Sequence, residues 1–509
     1  MTEPPTTLRA ALLAHVARDP DAPLLIAPDN SHEAGRTLTY GELLRQTRRL
    51  SGHLRVRGAK PGDKVALFLE NGYQTTLLFL AAMIGGYVVA PLNLRAQRSQ
   101  LAYVVEHCDA AVVFTAPAQE AALREAAAAA KRPVAIEVID VDARDALPDA
   151  IEAELPRLVA DDPALLMYTS GTTGTPKGVV LTHRNLLAAA AQVAGWHALT
   201  RDDRVLSSLP LYHINGQVIA TVTPFVSGGS IVAPHRFSVT SWWQDVARYR
   251  CTWINMVPTI IAYLLNAAAG REVERFAHVR FGRSASAPLP PEQHRAFERL
   301  FGIPVIEGMG MTESASLVFC NPMDAGRRKY GSVGLPCGVV ARVVGPDGRE
   351  LPDGETGEIH FRGANVMAGY YKAPDKTAEA LDADGWLHTG DLGHRDADGF
   401  FFVTGRIKEL IIKGGENIAP REIDEVLLAH PAVLEAAAVG IPDPNYGQDI
   451  LAAIVLKPGV ACDEATLRGY CLAELGRYKT PKLFRFVDEL PKGPSGKVQR
   501  LALLEPGGA

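Results

Sequence analysis

The sequence predicts an α/β protein with a large N-terminal domain and a small C-terminal domain, and three observations predict it. Short apolar runs alternate with helical patterns as far as about residue 265, which is typical of parallel sheets covered by helices. From about residue 333, short strands and Asp-Gly turns indicate a β-rich subdomain of hairpins. Near residue 405 the pattern changes again, to a compact α+β unit of roughly 100 residues.

The N-terminal alternation predicts individual elements. Thr39 and Glu42 have the spacing of a capping box and open a helix toward Leu54. In chain order we then predict a strand at 64–69, a helix at 74–84, strands at 87–90 and 111–114, a surface helix at 121–130, a helix at 185–196, strands at 204–209 and 229–232, a helix at 242–249, a strand at 251–256 and a helix at 258–265. The apolar stretch 77–92 is shorter than a bilayer span, so we expect a buried helix and strand and no transmembrane segment.

The domain boundaries follow from these changes of pattern. We place the large domain at 1–405, with its β-rich subdomain at about 333–405, a connection at 406–408 and the small domain at 409–509. In the small domain we predict helices at 420–429 and 463–475 and strands at 436–440 and 450–456. Two Asp-Ala-Asp-Gly-aromatic units, at 382–386 and 396–400, are interpreted as turns, because they lack the spacing and closing glutamate of a calcium loop.

Composition limits the partners of the protein. Its 509 residues carry a net charge of −5 without a Lys/Arg run, which argues against a nucleic-acid partner. The six cysteines form no Cys-x-x-Cys pair, which suits a reducing compartment and gives neither a disulfide framework nor a zinc site. The first residues lack the basic and apolar pattern of a signal peptide. We therefore expect a cytoplasmic protein, and the sequence leaves a homodimer open.

The stretch Tyr168–Gly178 reads Tyr-Thr-Ser-Gly-Thr-Thr-Gly-Thr-Pro-Lys-Gly and follows an apolar run. Its glycines let several backbone N–H groups face one anion, while its hydroxyls and Lys177 add donors and positive charge. This suits a polyphosphate, although the spacing is not that of a P-loop NTPase. Composition alone leaves a polar hairpin loop equally open, since Gly, Thr and Pro are turn residues.

This stretch resembles the phosphate-binding signature of the adenylate-forming enzymes, which include acyl-CoA synthetases, luciferases and peptide-synthetase adenylation domains. Further motifs match the family over about residues 35–500, and the segments 237–260 (with 251–259), 321–322 and 331–334 look most like oxalate–CoA ligases. The resemblance implies two half-reactions, in which ATP activates a carboxylic acid as acyl-AMP and CoA then accepts the acyl group. It implies phosphate contacts from Thr169, Ser170, Gly171, Thr172, Thr173, Gly174 and Lys177.

The segment Met309–Glu313 resembles the second signature of the family. By that resemblance Thr312 contacts the α-phosphate and Glu313 holds Mg²⁺. Met309 stands where the family usually has a tyrosine stacked on adenine, and its thioether can pack on the ring more weakly. Taken alone, the segment would be interpreted as a helix cap with a solvated glutamate.

Four residues near the domain boundary and the C-terminus complete the implied ATP site. Asp391, in Thr-Gly-Asp, and Arg406 resemble the residues that bind the ribose, and Lys408 falls at the family's hinge. Lys497, in Pro-Ser-Gly-Lys, matches the catalytic lysine, whose ammonium stabilises charge between the carboxylate and the α-phosphate. Taken alone, each is an ordinary turn or a solvated charge.

The segment Lys413–Ile418 matches the loop that lines the pantetheine channel in CoA-using members of the family. Paired glycines give a backbone the freedom for such a movement. A structural turn between a strand and a helix explains the same residues. The resemblance assigns CoA binding to Lys413, Gly414, Gly415 and Glu416.

Polar residues cluster in the segments that would form the acyl pocket. His213 resembles the residue that gates access between CoA and acyl pocket, and is included among the catalytic residues. A hydrogen-bonding pocket discriminates against apolar acids, whose binding would leave its groups unpaired. We therefore expect a small polar or anionic acid: oxalate first, then a sulfonated or another dicarboxylic acid. The predicted pocket residues are His213, Asn215, Gln217, Ser284 and Ser286.

Several alternatives remain open at this stage. The polar residues of the predicted pocket would also suit backbone hydrogen bonding around a fatty-acid or aromatic-acid pocket. An amino-acid adenylating module would typically have an aspartate near His213, and none is there. A luciferase-like enzyme does not need the Lys413–Ile418 loop. From another class, a non-catalytic nucleotide-binding protein would not need Lys497.

Overall fold

A computed structural model describes residues 4–28, 35–130, 133–147, 150–169, 176–492 and 498–504. Within these ranges the helices and strands form four sheets, two of them mostly parallel, which confirms the predicted α/β class. The helices are Leu8–Arg18, Tyr40–Val56, Tyr73–Gly85, Arg98–His107, Glu120–Ala128, His183–Trp196, Thr223–Ser227, Trp242–Arg248, Pro258–Ala268, Pro291–Phe301, Pro374–Ala380, Pro420–Ala429 and Glu464–Lys479. A π-helix spans Asn215–Val222, and 3₁₀ turns span Thr312–Ser314, Ala325–Arg327, Ile407–Glu409 and Arg500–Leu504.

The two large sheets form the body of the N-terminal domain. In spatial order the nine-stranded sheet, as far as the chain is described, contains Leu335–Pro336, Ser316–Cys320, Val305–Met311, Phe281–Ser284, Trp253–Met256, Arg204–Leu206, Ser230–Val232, Pro23–Ala27 and Arg36–Thr39. The seven-stranded sheet contains, within the same ranges, Gly369–Tyr370, Lys177–Thr182, Pro163–Thr169, Val88–Pro91, Lys64–Phe68, Ala110–Thr115 and Ala135–Val138. Antiparallel strands occur only at the margins of the parallel cores.

The helix Tyr73–Gly85 is the centre of the hydrophobic core. All thirteen of its residues are buried, and it contacts strands of both large sheets. The apolar stretch that could have suggested a membrane span is therefore this helix and the strand Val88–Pro91. Within the described residues, no helix is both long and apolar enough to cross a bilayer. The helix Tyr40–Val56 begins as predicted, with the Thr39 side chain accepting a hydrogen bond from the Glu42 N–H.

The β-rich subdomain is an antiparallel sheet, and its four described strands are Val340–Val344, Gly357–Arg362, Leu387–Arg395 and Phe401–Arg406. A further sheet forms the smaller C-terminal domain, with the described strands Glu416–Ile418, Ile411–Lys413, Gly447–Leu456, Val433–Asp443 and Leu483–Phe486. The helix Pro420–Ala429 matches the sequence prediction at both ends. The predicted helix 463–475 runs on to Lys479, with non-helical backbone at Gly476.

Candidate active site

A cavity of about 590 Å³ opens between the two domains. Strands of the nine-stranded sheet and of the β-rich subdomain bring Met309, Asp391 and Arg406 to its wall. The small domain contributes Arg421 and Lys492 to the same wall. Residues that are far apart in the sequence and were predicted to bind ATP therefore share one cavity.

Asp391 and Arg406 form an ion pair on this wall. They are direct partners on adjacent antiparallel strands, and Arg406 Nε donates to Asp391 Oδ1 at 2.7 Å. The Asp391 charge raises the pKa of Arg406. The Thr389 hydroxyl accepts from the Asp391 N–H at 3.0 Å, while the Gly390 N–H donates to Glu358 at 2.8 Å. A carboxylate fixed in this way can accept hydrogen bonds from a diol.

Lys177, Tyr370 and Glu313 form a second cluster. The Lys177 ammonium lies 4.5 Å from the centre of the Tyr370 ring. The Tyr370 hydroxyl donates to Glu313 Oε1 at 2.8 Å, and its pKa is raised by burial and by the Glu313 charge. Lys177, predicted to contact phosphate, and Glu313, predicted to hold Mg²⁺, thus both contact one tyrosine that no sequence motif indicated.

The second signature ends a strand and forms a strained turn. Val305–Met311 is followed by the 3₁₀ turn Thr312–Ser314, and Ala315 and Ser316 then have φ values of 51° and 121°. Left-handed backbone in non-glycine residues is uncommon and is found most often at functional sites. Glu313 is nearly buried, with its carboxylate bonded by Tyr370. A carboxylate oxygen is the donor that Mg²⁺ prefers, so the residue fits the expected metal.

Two predicted parts of the ATP site lie outside the described residues: the stretch Ser170–Gly174 and the predicted catalytic lysine, Lys497. Their flanks are described. Thr169 and Lys177, on either side of the predicted phosphate-binding segment, are paired on antiparallel strands. Lys492 and Val498 form an isolated bridge, and both line the cavity. The described flanks of the two motifs are therefore anchored by backbone pairing, and the Lys497 flanks lie at the cavity wall.

The predicted acyl-pocket residues are partly connected by hydrogen bonds. Asn215 Nδ2 donates to the Ser286 hydroxyl at 3.1 Å, and Asn255 Nδ2 donates to Asn215 Oδ1 at 3.0 Å. Asn215 and Asn255 are buried, and Ser286 lies on the cavity wall with a left-handed φ of 78°. His213 precedes the π-helix that carries Asn215, and such helices are often found at functional sites.

Two other predicted pocket residues have different surroundings. Gln217 is fully buried and donates to the Leu211 carbonyl at 2.7 Å. It therefore bonds a backbone group, which was the alternative to a role in binding the acid. Ser284 is also fully buried, and its hydroxyl has no hydrogen-bond partner among the described residues. Asn215 and Ser286 are therefore the pair that the structure connects to the cavity wall.

One charged residue near this pocket was not selected from the sequence. Arg283 is 1% exposed, and none of its three guanidinium nitrogens has a hydrogen-bond partner among the described residues. It lies in the strand Phe281–Ser284, directly beside Asn255 of the neighbouring strand. A signal for this residue was available, since Arg283 lies within a short strand whose residues are all buried. Arginine is almost never buried without a partner, so its position there indicates a candidate binding residue.

The predicted CoA loop is a tight hairpin. Gly414 and Gly415 both have positive φ, at 56° and 89°, between the strands Ile411–Lys413 and Glu416–Ile418. Lys413 is buried and donates to Asp449 at 2.6 Å and to the Tyr478 carbonyl at 3.0 Å. Its ammonium thus fixes the hairpin to the sheet. Lys408 is exposed in the turn Ile407–Glu409 between the domains.

Comparison with protein families identifies the chain. The family model described as "AMP-binding enzyme" matches residues 12–371, and that of the "AMP-binding enzyme C-terminal domain" matches residues 422–497. The chain belongs to the AMP-binding enzyme family. Within it, the chain is an enzyme of the acyl-CoA synthetase branch, as the relatives show.

Curated members of the family extend this result. The chain is 57% identical to a sulfoacetate–CoA ligase of Cupriavidus necator, over 99% of each protein. It is 36% identical to an oxalate–CoA ligase of Arabidopsis thaliana, over 87% of this chain and 88% of that protein. The predicted resemblance to oxalate–CoA ligases is confirmed, and the sulfoacetate–CoA ligase has the higher identity of the two.

Solved structures of the family share the fold. ATP-bound MatB from Rhodopseudomonas palustris superimposes with a TM-score of 0.89 at 33% identity, over 98% of both chains. An o-succinylbenzoate CoA synthetase from Bacillus subtilis, in complex with its acyl-adenylate intermediate, gives a TM-score of 0.87 at 31% identity, over 99% of both chains. The arrangement of a large and a small domain is therefore that of adenylate-forming enzymes.

Proposed function

We propose that this enzyme is an ATP-dependent ligase that joins a small, doubly anionic acid to CoA. Sulfoacetate is the first candidate, and oxalate or another short dicarboxylate comes next. Two relatives support this order through the acids that they are named for. The observation that carries the choice of a polar acid is the buried chain of hydrogen bonds from Asn255 through Asn215 to Ser286.

In the first half-reaction, a carboxylate oxygen of the acid attacks the α-phosphorus of ATP, and pyrophosphate leaves. Asp391, which Arg406 Nε holds at 2.7 Å, accepts hydrogen bonds from the ribose hydroxyls. Thr312 and Lys177 contact phosphate oxygens, and Lys497 stabilises charge between the carboxylate and the α-phosphate. Mg²⁺, held by Glu313, would neutralise charge between the phosphates.

In the second half-reaction, the sulfur of CoA attacks the acyl carbon, and AMP leaves with the phosphate ester oxygen. The hairpin at Lys413–Glu416 presents Gly414, Gly415 and Glu416 at its exposed end, and these residues would line the CoA channel. Rotation of the small domain near Lys408 would exchange Lys497 for this hairpin at the acyl-AMP. Domain closure of this kind commonly limits turnover.

The Asn215→Leu variant tests the polar pocket. Leucine removes both hydrogen bonds of Asn215, and a polar acid then loses its partner. We expect kcat/KM for sulfoacetate to fall at least about 10 times further than kcat/KM for butyrate, because only the polar acid uses the amide. Equal losses on the two acids would contradict the polar pocket.

The Lys497→Ala variant separates a ligase from a nucleotide-binding protein. We expect acyl-AMP formation to fall by about 100-fold or more, because one preorganised charge is lost from the reacting centre. Lys457→Ala changes an exposed lysine of the same domain and serves as the control. Retained activity in Lys497→Ala would contradict its catalytic role.

A reducing, cytoplasmic site of action and a homodimer are further proposals. All six cysteines are free, and five of them are buried. Light scattering of the purified enzyme would determine its oligomeric state, and fractionation of the source cells its compartment.

A further inference from the structure

The guanidinium of Arg283 is a buried charge without a counter-charge in the described part of the chain. The ionisable groups that act on it electrostatically are His197, Cys320 and Cys337. Burial lowers the pKa of His197 to about 3 and raises the pKa of both thiols, so all three are neutral near pH 7. Burial also lowers the pKa of Arg283, to about 10, which leaves it protonated.

An unpaired buried charge is costly, and proteins normally pair it. Nε, Nη1 and Nη2 of Arg283 are all buried and lack acceptors among the described residues. The guanidinium offers five donors in a planar fork that matches a carboxylate or sulfonate. The described surroundings of Arg283 therefore lack one anionic group with two or more oxygens.

The position of Arg283 connects it to the acyl pocket. Asn255 and Arg283 are register partners on adjacent parallel strands, so their side chains leave the same face of the sheet. Asn255 begins the hydrogen-bond chain that reaches Asn215 and Ser286 at the cavity wall.

Gly308 lies beside both the guanidinium and the cavity. It lines the cavity, and a Cβ at Gly308 would lie 3.3 Å from Nη2 of Arg283. The guanidinium thus lies next to a residue of the cavity wall that has no side chain.

We propose that Arg283 binds the second anionic group of the acid substrate, through paired hydrogen bonds to a sulfonate or a distal carboxylate. This inference rests on the proposed function, and it adds the residue that selects the charge of the acid. The acid would lie with its reacting carboxylate at the cavity and its second anion against Arg283. A neutral acid of the same shape would leave the guanidinium unpaired and would be rejected.

The test compares sulfoacetate with 3,3-dimethylbutanoate, in which a tert-butyl group replaces the sulfonate. The measured quantity is the ratio of kcat/KM for the two acids, which does not depend on how much of a variant is folded. We expect the ratio to fall by at least about 100-fold in Arg283→Met and in Arg283→Gln, since a site built for a polar group discriminates strongly. Arg283→Lys keeps the charge and should retain part of the preference.

The matched control is Arg280→Met, which removes a neighbouring arginine that pairs with Asp203 at 2.6 Å. Its ratio should equal that of the wild type, and KM for ATP should stay unchanged in the Arg283 variants. A wild-type ratio retained in Arg283→Met and Arg283→Gln would overturn the role of Arg283 alone. A wild-type enzyme without preference for sulfoacetate or any other anionic acid would overturn the proposed acid class, and this inference with it.

Discussion

Arg406 Nε lies 2.7 Å from Asp391 Oδ1, on adjacent strands of the β-rich sheet beside the interdomain cavity. The Asp391 side chain is 5% exposed, while that of Arg406 is 35% exposed. The arginine therefore fixes the orientation of a buried carboxylate. A second acceptor position on that carboxylate remains suited to a sugar hydroxyl.

The first prediction concerns ATP affinity. Asp391→Asn keeps the shape of the side chain but removes the charge that accepts from the ribose and pairs with Arg406. We expect KM for ATP to rise by about 10- to 100-fold, the cost of one or two charge-assisted hydrogen bonds. KM for the acid should change little. Steady-state kinetics with each substrate varied in turn provides the measurement.

Asp353→Asn is the matched control for this prediction. Asp353, in a turn, pairs at 2.6 Å with Arg395 of the same sheet, but the two side chains are partly exposed, at 43% and 32%. Its loss should leave KM for ATP unchanged, because an exposed ion pair contributes little. A similar rise in both variants would show that the effect of Asp391→Asn is structural.

The second prediction concerns magnesium. Glu313→Gln removes the negative charge proposed to hold the ion, and we expect the Mg²⁺ concentration for half-maximal activity to rise at least about 10-fold. Tyr370→Phe removes only the hydrogen bond to Glu313 and should give a smaller rise. Chelation with EDTA should abolish wild-type activity. An unchanged Mg²⁺ dependence in Glu313→Gln would exclude the residue as the metal ligand.

The third prediction concerns stability and pH. Burial raises the pKa of Glu307 to about 7, although its Oε1 accepts from the Leu289 N–H. The pKa of this carboxyl is about 4.3 in the unfolded chain. Between pH values of about 4.3 and 7, Glu307 is therefore protonated in the folded state but ionised in the unfolded state. Because the folded state binds the additional proton, the free energy of unfolding falls as pH rises through this window. Well above pH 7 the loss is complete, at about 4 kcal/mol.

Glu307→Gln should remove this dependence. We expect the variant to gain stability relative to the wild type at pH 8 and to gain little at pH 4.5, as measured by denaturant unfolding. Glu292→Gln, which changes an exposed carboxylate, is the control. An identical difference between Glu307→Gln and wild type at both pH values would contradict the raised pKa.

The fourth prediction separates a structural from a CoA-binding role of Lys413. Its ion pair with Asp449 is buried on both sides, with side chains 7% and 8% exposed. Lys413→Met should lower the free energy of unfolding by about 3–5 kcal/mol, because Asp449 is left unpaired. Combining it with Asp449→Asn should restore much of the loss. Lys479→Met, which breaks a pair with Glu422 whose side chains are 37% and 45% exposed, should cost less than about 1 kcal/mol.

Kinetics of the double variant completes this test. With the ion pair replaced and stability restored, a structural Lys413 predicts an unchanged KM for CoA. A large rise in that KM would instead support a direct contact with CoA, as the family resemblance implied.

Local chemistry was predictable from the sequence. The two Asp-Ala-Asp-Gly-aromatic units are turns, as expected: Asp382 Oδ1 accepts from the N–H groups of Asp384 and Trp386, and Asp396 repeats the pattern. Such turns depend on residues four positions apart at most, so their pattern is visible in one short segment. The same holds for the Thr39 cap and for the Gly414–Gly415 hairpin.

Contacts between distant segments were not predictable. Tyr370 meets Glu313 and Lys177 only because its strand pairs with Lys177–Thr182, almost two hundred residues away. Gln217 bonds a backbone carbonyl because the π-helix turns its side chain inward. Arg283 has no counter-charge among the described residues because of which strands and helices fold around it, and the sequence does not show which these are.

The most direct test of the proposed function measures AMP formation by the wild-type enzyme from ATP and Mg²⁺, with and without CoA. The acids are sulfoacetate, oxalate, malonate, butyrate, octanoate, benzoate and coumarate. We expect CoA-dependent turnover with kcat/KM for a small anionic acid at least about 100-fold above that for every monocarboxylic acid, since a hydrogen-bonding pocket rejects apolar acids. Equal or faster turnover of butyrate, octanoate, benzoate or coumarate would contradict it.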